Sequence, residues 1–186
     1  MNSEIDQAVK TIKEGGVILY PTDTIWGLGC DPKNEEAIDK IISIKKRADK
    51  NGMLILVNSE HLLGRYVKEI PEVCYDLIDC ADRPLTIVYP NGQYVSPKLL
   101  ASDKSLAIRI AKNDFCNKLI QKLKSGIVST SANISGEPNP GNFNEISDEI
   151  KNQVDYVVNL PQLSNSSQSS QIIKISEKSE IQIIRK

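Results

Sequence analysis

The sequence predicts an α/β fold built on a mixed sheet. Three observations carry this. Helical spacings of apolar residues alternate with short apolar runs along the chain. The last two runs, "SQIIKI" and "EIQIIR", are joined by "SEKSE" and read as a hairpin. The 186 residues suit one domain, 1–186, long enough to bury a core without staples.

Each element has its own signal. Ile5, Ala8, Val9 and Ile12 recur at helical spacing, and Gly15 and Gly16 end that helix. "VILYPTD" is an apolar strand stopped by Pro21. Asn34 caps a second helix with Glu35 and Glu36 in its first turn, and this helix ends in "KKR". "MLILV" is a buried strand, "NSEHLLGRY" starts a surface helix, and "PEVCYDLIDCA" is helical. "PLTIVYP" and "SLAIRI" are strands. Asn113 caps "DFCNKLIQKLK", which Gly126 ends before the strand "IVS". "FNEISDEI" is a short helix and "VDYVVNL" a strand. "PQLSNSSQSSQ" is a polar connection.

Composition narrows the function classes. Hydrophobic residues make 40% and charged residues 25%, ordinary for a globular protein, and the net charge of -1 gives no global pull toward nucleic acid or membrane. No apolar run approaches the roughly 20 residues of a membrane span, and the amphipathic N-terminus does not read as a signal peptide, so the expected compartment is the cytoplasm. Cys30, Cys74, Cys80 and Cys116 lack Cys-x-x-Cys spacing and read as small buried hydrophobes, so no zinc is expected. With His61 the only histidine, a Ser-His-Asp triad is not expected.

Four polar constellations fall at strand or helix ends. "YPTDTIWGLGCD" presents Thr22, Asp23 and Thr24 after a turn, and Trp26 beside Gly27 and Gly29 suggests a pocket wall. "KKRADKNG" reads either as a solvated helix end or as a phosphate clamp, since arginine's planar fork matches phosphate oxygens. In "SLAIRI", Ser105, Ala107 and Arg109 share one face while Leu106, Ile108 and Ile110 take the core face. Arg109 therefore needs an anionic partner, either a structural acid or a substrate carboxylate or phosphate. "STSANISG" offers hydroxyls, an amide and a glycine, a cradle for something polar. Neither a P-loop nor a Rossmann fingerprint is present.

In this order, with "PTDTIWGLG", Lys45-x-Arg47, "LAIR" and Ser131-x-Asn133, the chain resembles the YrdC-like family of threonylcarbamoyl-adenylate synthases, in its short single-domain form. The resemblance runs from about Ile5 to Arg185. It implies a twisted open mixed sheet with flanking helices and a concave basic face. It implies synthesis of threonylcarbamoyl-AMP and pyrophosphate from L-threonine, bicarbonate and ATP. The product would serve tRNA threonylcarbamoyladenosine modification through a separate transferase complex. Carried over by position, Thr24, Arg109, Ser131 and Ser170 would contact threonine. Lys45, Arg47, Asn51, Ser105, Asn133 and Arg185 would contact ATP, with Lys45 and Arg47 stabilising phosphate charge together with magnesium, whose ligands stay open. Asp23 is left open as a magnesium or water contact and is not among the residues carried over.

Ala48 stands where the family often has proline, Leu56 where longer members have histidine, and Gly141 where a threonine touches ATP. Residues 165–186 are expected to form a substrate-closing tail. The rival readings are an RNA-binding module using the same concave face and a family member without synthase activity. Aromatic residues make only 5% of the chain, few for an RNA-stacking platform. Lys-x-Arg and Ser-x-Asn, whose loss would mark a non-synthase, are both retained.

Overall fold

The structure is a computed structural model and describes residues 1–46, 52–160 and 168–186. In chain order its elements are α1 (Asn2–Lys13), β1 (Ile18–Tyr20), β2 (Gly27–Gly29), α2 (Glu35–Ile44), β3 (Leu54–Val57), α3 (Glu60–Tyr66), α4 (Val73–Asp79), β4 (Leu85–Tyr89), β5 (Leu106–Ile110), α5 (Asp114–Leu123), β6 (Ile127–Ser131), α6 (Asp148–Gln153), β7 (Tyr156–Val157), β8 (Gln171–Ile175) and β9 (Ile181–Arg185). The strands form one sheet in the order β7-β1-β2-β6-β3-β5-β4-β8-β9. It is mixed: β1 with β7, β3 with β5 and β4 with β8 run parallel, and the remaining neighbours run antiparallel.

Period-two alternation gives the sheet two apolar faces. Leu19, Ile55, Val57, Ile108 and Val128 share one core with Ala37, Ile38 and Ile41 of α2, with Leu63 of α3 and with Cys74 of α4. Ile18, Tyr20, Leu56 and Ile127 point the other way and pack with Ile5, Val9 and Ile12 of α1 and with Phe115, Leu119 and Ile120 of α5. The caps follow the sequence. Asn34 accepts from Ala37 N at 3.0 Å, and Asn113 from Cys116 N at 2.8 Å.

Several elements differ from expectation. β2 is a strand that the sequence did not announce, although its glycines mark a close approach of the backbone. A Cβ on Gly29 would stand 2.7 Å from Tyr20 Cε1 and 2.8 Å from the Val128 carbonyl, so only glycine lets the three strands close together. Helix α5 ends on Lys124, at φ 57°, rather than on Gly126. "FNEISDEI" splits into a 3-10 turn at Phe143–Glu145 and α6, because Asn142 and Ser147 each cap a separate start. Helix α2 stops at Ile44, and Lys45 turns inward instead of extending a solvated end. Cys30, Cys74 and Cys116 are buried as expected, but Cys80 is exposed. Among the described residues no helix is long and apolar enough to cross a membrane.

Candidate functional site

The register of the sheet builds the site. Ile127 of β6 pairs with Leu56 of β3, Leu56 with Arg109 of β5, Arg109 with Thr86 of β4, Thr86 with Ile172 of β8, and Ile172 with Arg185 of β9. Directly paired residues point to the same face. One row therefore crosses six strands on the α1–α5 face, apolar at its Ile127 end and carrying two guanidiniums toward the other edge.

A cleft of about 120 Å³ opens on this row. Arg109, Arg185, Thr24, Ser131 and Ser170 line it, with Trp26 and Gly27 as wall. Trp26 is fully buried and held in place by the Phe143 ring at 4.9 Å. Ser129 and Thr130, from the polar cradle read in "STSANISG", also line the cleft, as do Thr86, Asn139 and Ser169, which sequence reasoning missed as site residues. The signal for Thr86 was its place in "LTIV", a hydroxyl between apolar strand residues.

Arg109 is 4% exposed and donates through Nη2 to Asp23 Oδ1 at 3.1 Å. The structure thus supplies the acid partner that the sequence left open, and Arg109 still faces the cleft. Arg185 donates through Nε and Nη2 to the Ser170 carbonyl at 3.0 and 2.8 Å. Burial, and then the nearby Arg109 charge, push the Arg185 guanidinium below its ordinary range. The Ser170 and Thr86 hydroxyls are 2.7 Å apart.

The hydroxyls are oriented. Thr22 Oγ1 donates to the Ile25 carbonyl at 2.6 Å, so in the 3.0 Å pair with Thr24 the Thr24 hydroxyl is the donor. Ser131 Oγ donates to Asn133 Oδ1 at 2.5 Å. Both oxygens thereby present acceptor character to the cleft.

Lys45 is 0% exposed. Its ammonium donates to the Ser131 carbonyl at 2.5 Å, the Asn133 carbonyl at 2.7 Å and Asn133 Oδ1 at 3.3 Å. The Lys-x-Arg and Ser-x-Asn motifs thus meet through Lys45. Ser105 and Asn133 do not line the cleft. The Ser105 hydroxyl donates to Asp103 at 2.6 Å, and the Asn133 amide donates to the Glu137 carbonyl at 2.6 Å. Arg47 and Asn51, and Ala48 beside them, lie outside the described residues. So do residues 165–167 of the expected tail, whose later part is strands β8 and β9. Leu56 fills the core beneath Arg109, and Gly141 N donates to Glu145 Oε2 at 2.7 Å. His61 is exposed on α3.

Among the described residues no group of three or more His, Cys, Asp or Glu side chains could hold a metal ion. Asp23 has both oxygens engaged, Oδ1 by Arg109 and Oδ2 by the Lys112 main-chain N–H at 3.2 Å. The described residues therefore do not fit a protein-held magnesium at this position.

Known proteins are similar to this chain in sequence and in fold. A threonylcarbamoyl-AMP synthase of Pseudoalteromonas translucida (strain TAC 125) is 30% identical over 171 residues, 90% of this chain and 91% of that protein. The crystal structure of P. abyssi Sua5 complexed with L-threonine superposes with a TM-score of 0.80 at 28% identity, over 93% of this chain and 51% of that one. The chain thus spans about half the length of that relative. E. coli YciO shares the fold, with a TM-score of 0.86 at 24% identity over 100% of this chain and 90% of that one. The family model for Sua5, YciO and YrdC proteins, described as "Telomere recombination", matches residues 10–186, and the chain belongs to that family.

Proposed function

We propose that this chain is a threonylcarbamoyl-AMP synthase: it joins L-threonine, bicarbonate and ATP into threonylcarbamoyl-AMP and releases pyrophosphate. The observation that carries the reading is the polarity of the cleft. Two guanidiniums offer donors suited to a carboxylate, and the Thr24 and Ser131 oxygens offer acceptors suited to an amino group. At about 120 Å³ the cleft suits an amino acid rather than a whole nucleotide. Clefts for drug-sized ligands run to roughly 300–1,000 Å³. The P. abyssi Sua5 structure with L-threonine, at 28% identity, supports the same choice.

In this reading the threonine amine and bicarbonate combine as a carbamate, losing water. A carbamate oxygen then attacks the α-phosphorus of ATP, and the bond from that phosphorus to the bridging oxygen breaks to release pyrophosphate. No covalent protein nucleophile is needed. Positioning and electrostatic stabilisation lower the barrier. Thr24, Arg109, Ser131 and Ser170 orient threonine, and Arg185 bridges toward the nucleotide. Lys45 shapes the wall that Ser131 and Asn133 belong to. Arg47, Asn51, Ser105 and Asn133 remain the nucleotide contacts that the sequence resemblance implies. Magnesium would travel with the ATP phosphates and neutralise their charge, as this ion commonly does. The closing role of residues 165–186 rests on Ser169, Ser170 and Arg185, which already line the cleft. A tRNA-modifying transferase complex in the cytoplasm would consume the adenylate, and the reaction itself asks for no RNA contact.

Pyrophosphate release tests this directly. Turnover of ATP should require both L-threonine and bicarbonate. Serine should be a poorer substrate, since one lost methyl is worth roughly 1–3 kcal/mol in a fitted pocket. Equal ATP turnover without any amino acid would falsify the reading.

A further inference from the structure

The Arg109–Asp23 pair links elements 86 residues apart in sequence. The Asp23 side chain is 6% exposed and Arg109 4%. Asp23 sits in the turn after β1, and that turn is fixed on both sides. Thr24 N donates to Thr22 Oγ1 at 3.1 Å, and Thr22 Oγ1 donates to the Ile25 carbonyl at 2.6 Å. From this rigid base the carboxylate accepts twice, from Arg109 Nη2 at 3.1 Å and from Lys112 N at 3.2 Å. Arg109 is thereby held at one edge, while its Nε–H is buried without a partner. A guanidinium has five N–H donors, so one carboxylate does not satisfy it.

Charge points the same way. Among the described residues that line the cleft, the charged ones are Arg109 and Arg185. Two guanidiniums around one small cleft repel each other, and the repulsion acts on Arg185. Asp23 offsets one of the two charges from behind Arg109. A carboxylate is the one group of this size that accepts at both places. An amide in its place has a single acceptor oxygen, so its NH₂ would face either the Arg109 or the Lys112 donor.

We propose that Asp23 is the positioning residue for Arg109: it fixes the guanidinium with its remaining donors toward the cleft and so sets the affinity for the threonine carboxylate. Asp23 touches no substrate and acts through Arg109 alone. The proposal rests on reading the cleft as the threonine site.

The test is titration calorimetry of L-threonine and of ATP into wild type and Asp23→Asn, with steady-state pyrophosphate release and melting curves alongside. Asp23→Asn should weaken threonine binding at least ten-fold and raise the threonine KM in parallel. The ATP dissociation constant should stay within two-fold. A merely structural role would lower Tm and leave the threonine constant of the folded fraction unchanged, and that result overturns the proposal. So does an equal loss for both ligands. Where Asp23→Asn leaves no folded protein, Asp23→Glu is measured instead. It keeps the charge but shifts the carboxylate by one methylene, and the same threonine-selective loss is expected, while an unchanged threonine constant again overturns the proposal. Failure of wild type to bind threonine at all strikes the synthase reading itself, a result separable from any difference between the variants.

Discussion

Lys45 and Asn133 are joined twice, the buried ammonium donating to the Asn133 carbonyl at 2.7 Å and to its side-chain oxygen at 3.3 Å. A third bond, to the Ser131 carbonyl at 2.5 Å, makes Lys45 the anchor of the loop that follows β6. The loop answers through its backbone, Ser135 N donating to the Lys45 carbonyl at 3.0 Å.

Lys45→Met should therefore cost stability as well as activity. Each buried carbonyl left without a donor costs about 1–3 kcal/mol. Lys45→Arg should not rescue, because a planar fork does not fit the space of a compact ammonium. Denaturant midpoints measure this, and a midpoint equal to wild type for Lys45→Met contradicts the anchoring role.

Two glycines should respond to alanine in opposite directions. At Gly29 the added Cβ meets the Val128 carbonyl at 2.8 Å and Ile127 Cδ1 at 2.8 Å, and backbone cannot yield as a side chain does. Gly29→Ala should lose about 1–3 kcal/mol. At Gly64, inside α3, nothing lies within 4 Å of the added atom. Gly64→Ala should gain up to about 1 kcal/mol. Urea melts of both variants check the pair.

Thiol labelling should find one fast cysteine. Burial pushes the Cys74 thiol up to about 11 and raises Cys30 and Cys116 as well, while Cys80 is exposed. A disulfide reagent at pH 8 should modify Cys80 rapidly and the other three only after denaturation. Fast labelling of two or more sites in native protein would contradict this packing.

Acid should destabilise the fold partly through Asp103. The Lys174 ammonium at 2.5 Å, then the Ser105 hydroxyl and amide, hold this carboxyl well below the usual carboxylate range. A depressed folded-state pKa contributes stability above the unfolded value near ~3.9, lost as pH falls toward the folded value. Asp103 is half exposed, so solvent screening keeps the effect modest. Asp103→Asn should flatten the acid limb of a Tm–pH profile below about pH 4. An acid limb unchanged in slope would remove Asp103 from the account.

Much of the fold is legible because burial here follows simple periods. The alternation in "SLAIRI" separates Arg109 from Ile108, and Asn34 and Asn113 announce their helices. What stays hidden depends on distant neighbours. "GLG" lacks strand propensity, and only the close approach of Tyr20 and Val128 makes it one. Lys45 reads as a surface charge, because nothing in "KKR" reveals carbonyls waiting 86 and 88 residues later. The same distance hides Asp23 from Arg109. The cleft's hydroxyls were visible as a loop, but Thr86 needed the β4–β5 register to place it beside Arg109.

The row that runs from Ile127 to Arg185 has a consequence for the order of events in the cell. Its members leave the ribosome in the sequence 56, 86, 109, 127, 172 and 185, whereas the sheet arranges them as β6, β3, β5, β4, β8 and β9. Arg109 and Thr86 can pair while synthesis continues, but the wall made by Ser170 and Arg185 exists only when translation has passed residue 185. A nascent chain therefore carries Arg109 beside an unfinished edge, open to water and to other chains, until β8 and β9 arrive. The waiting time is set by elongation at about 5–20 residues per second. Slow codons after Arg109 would lengthen that vulnerable interval without changing a single amino acid.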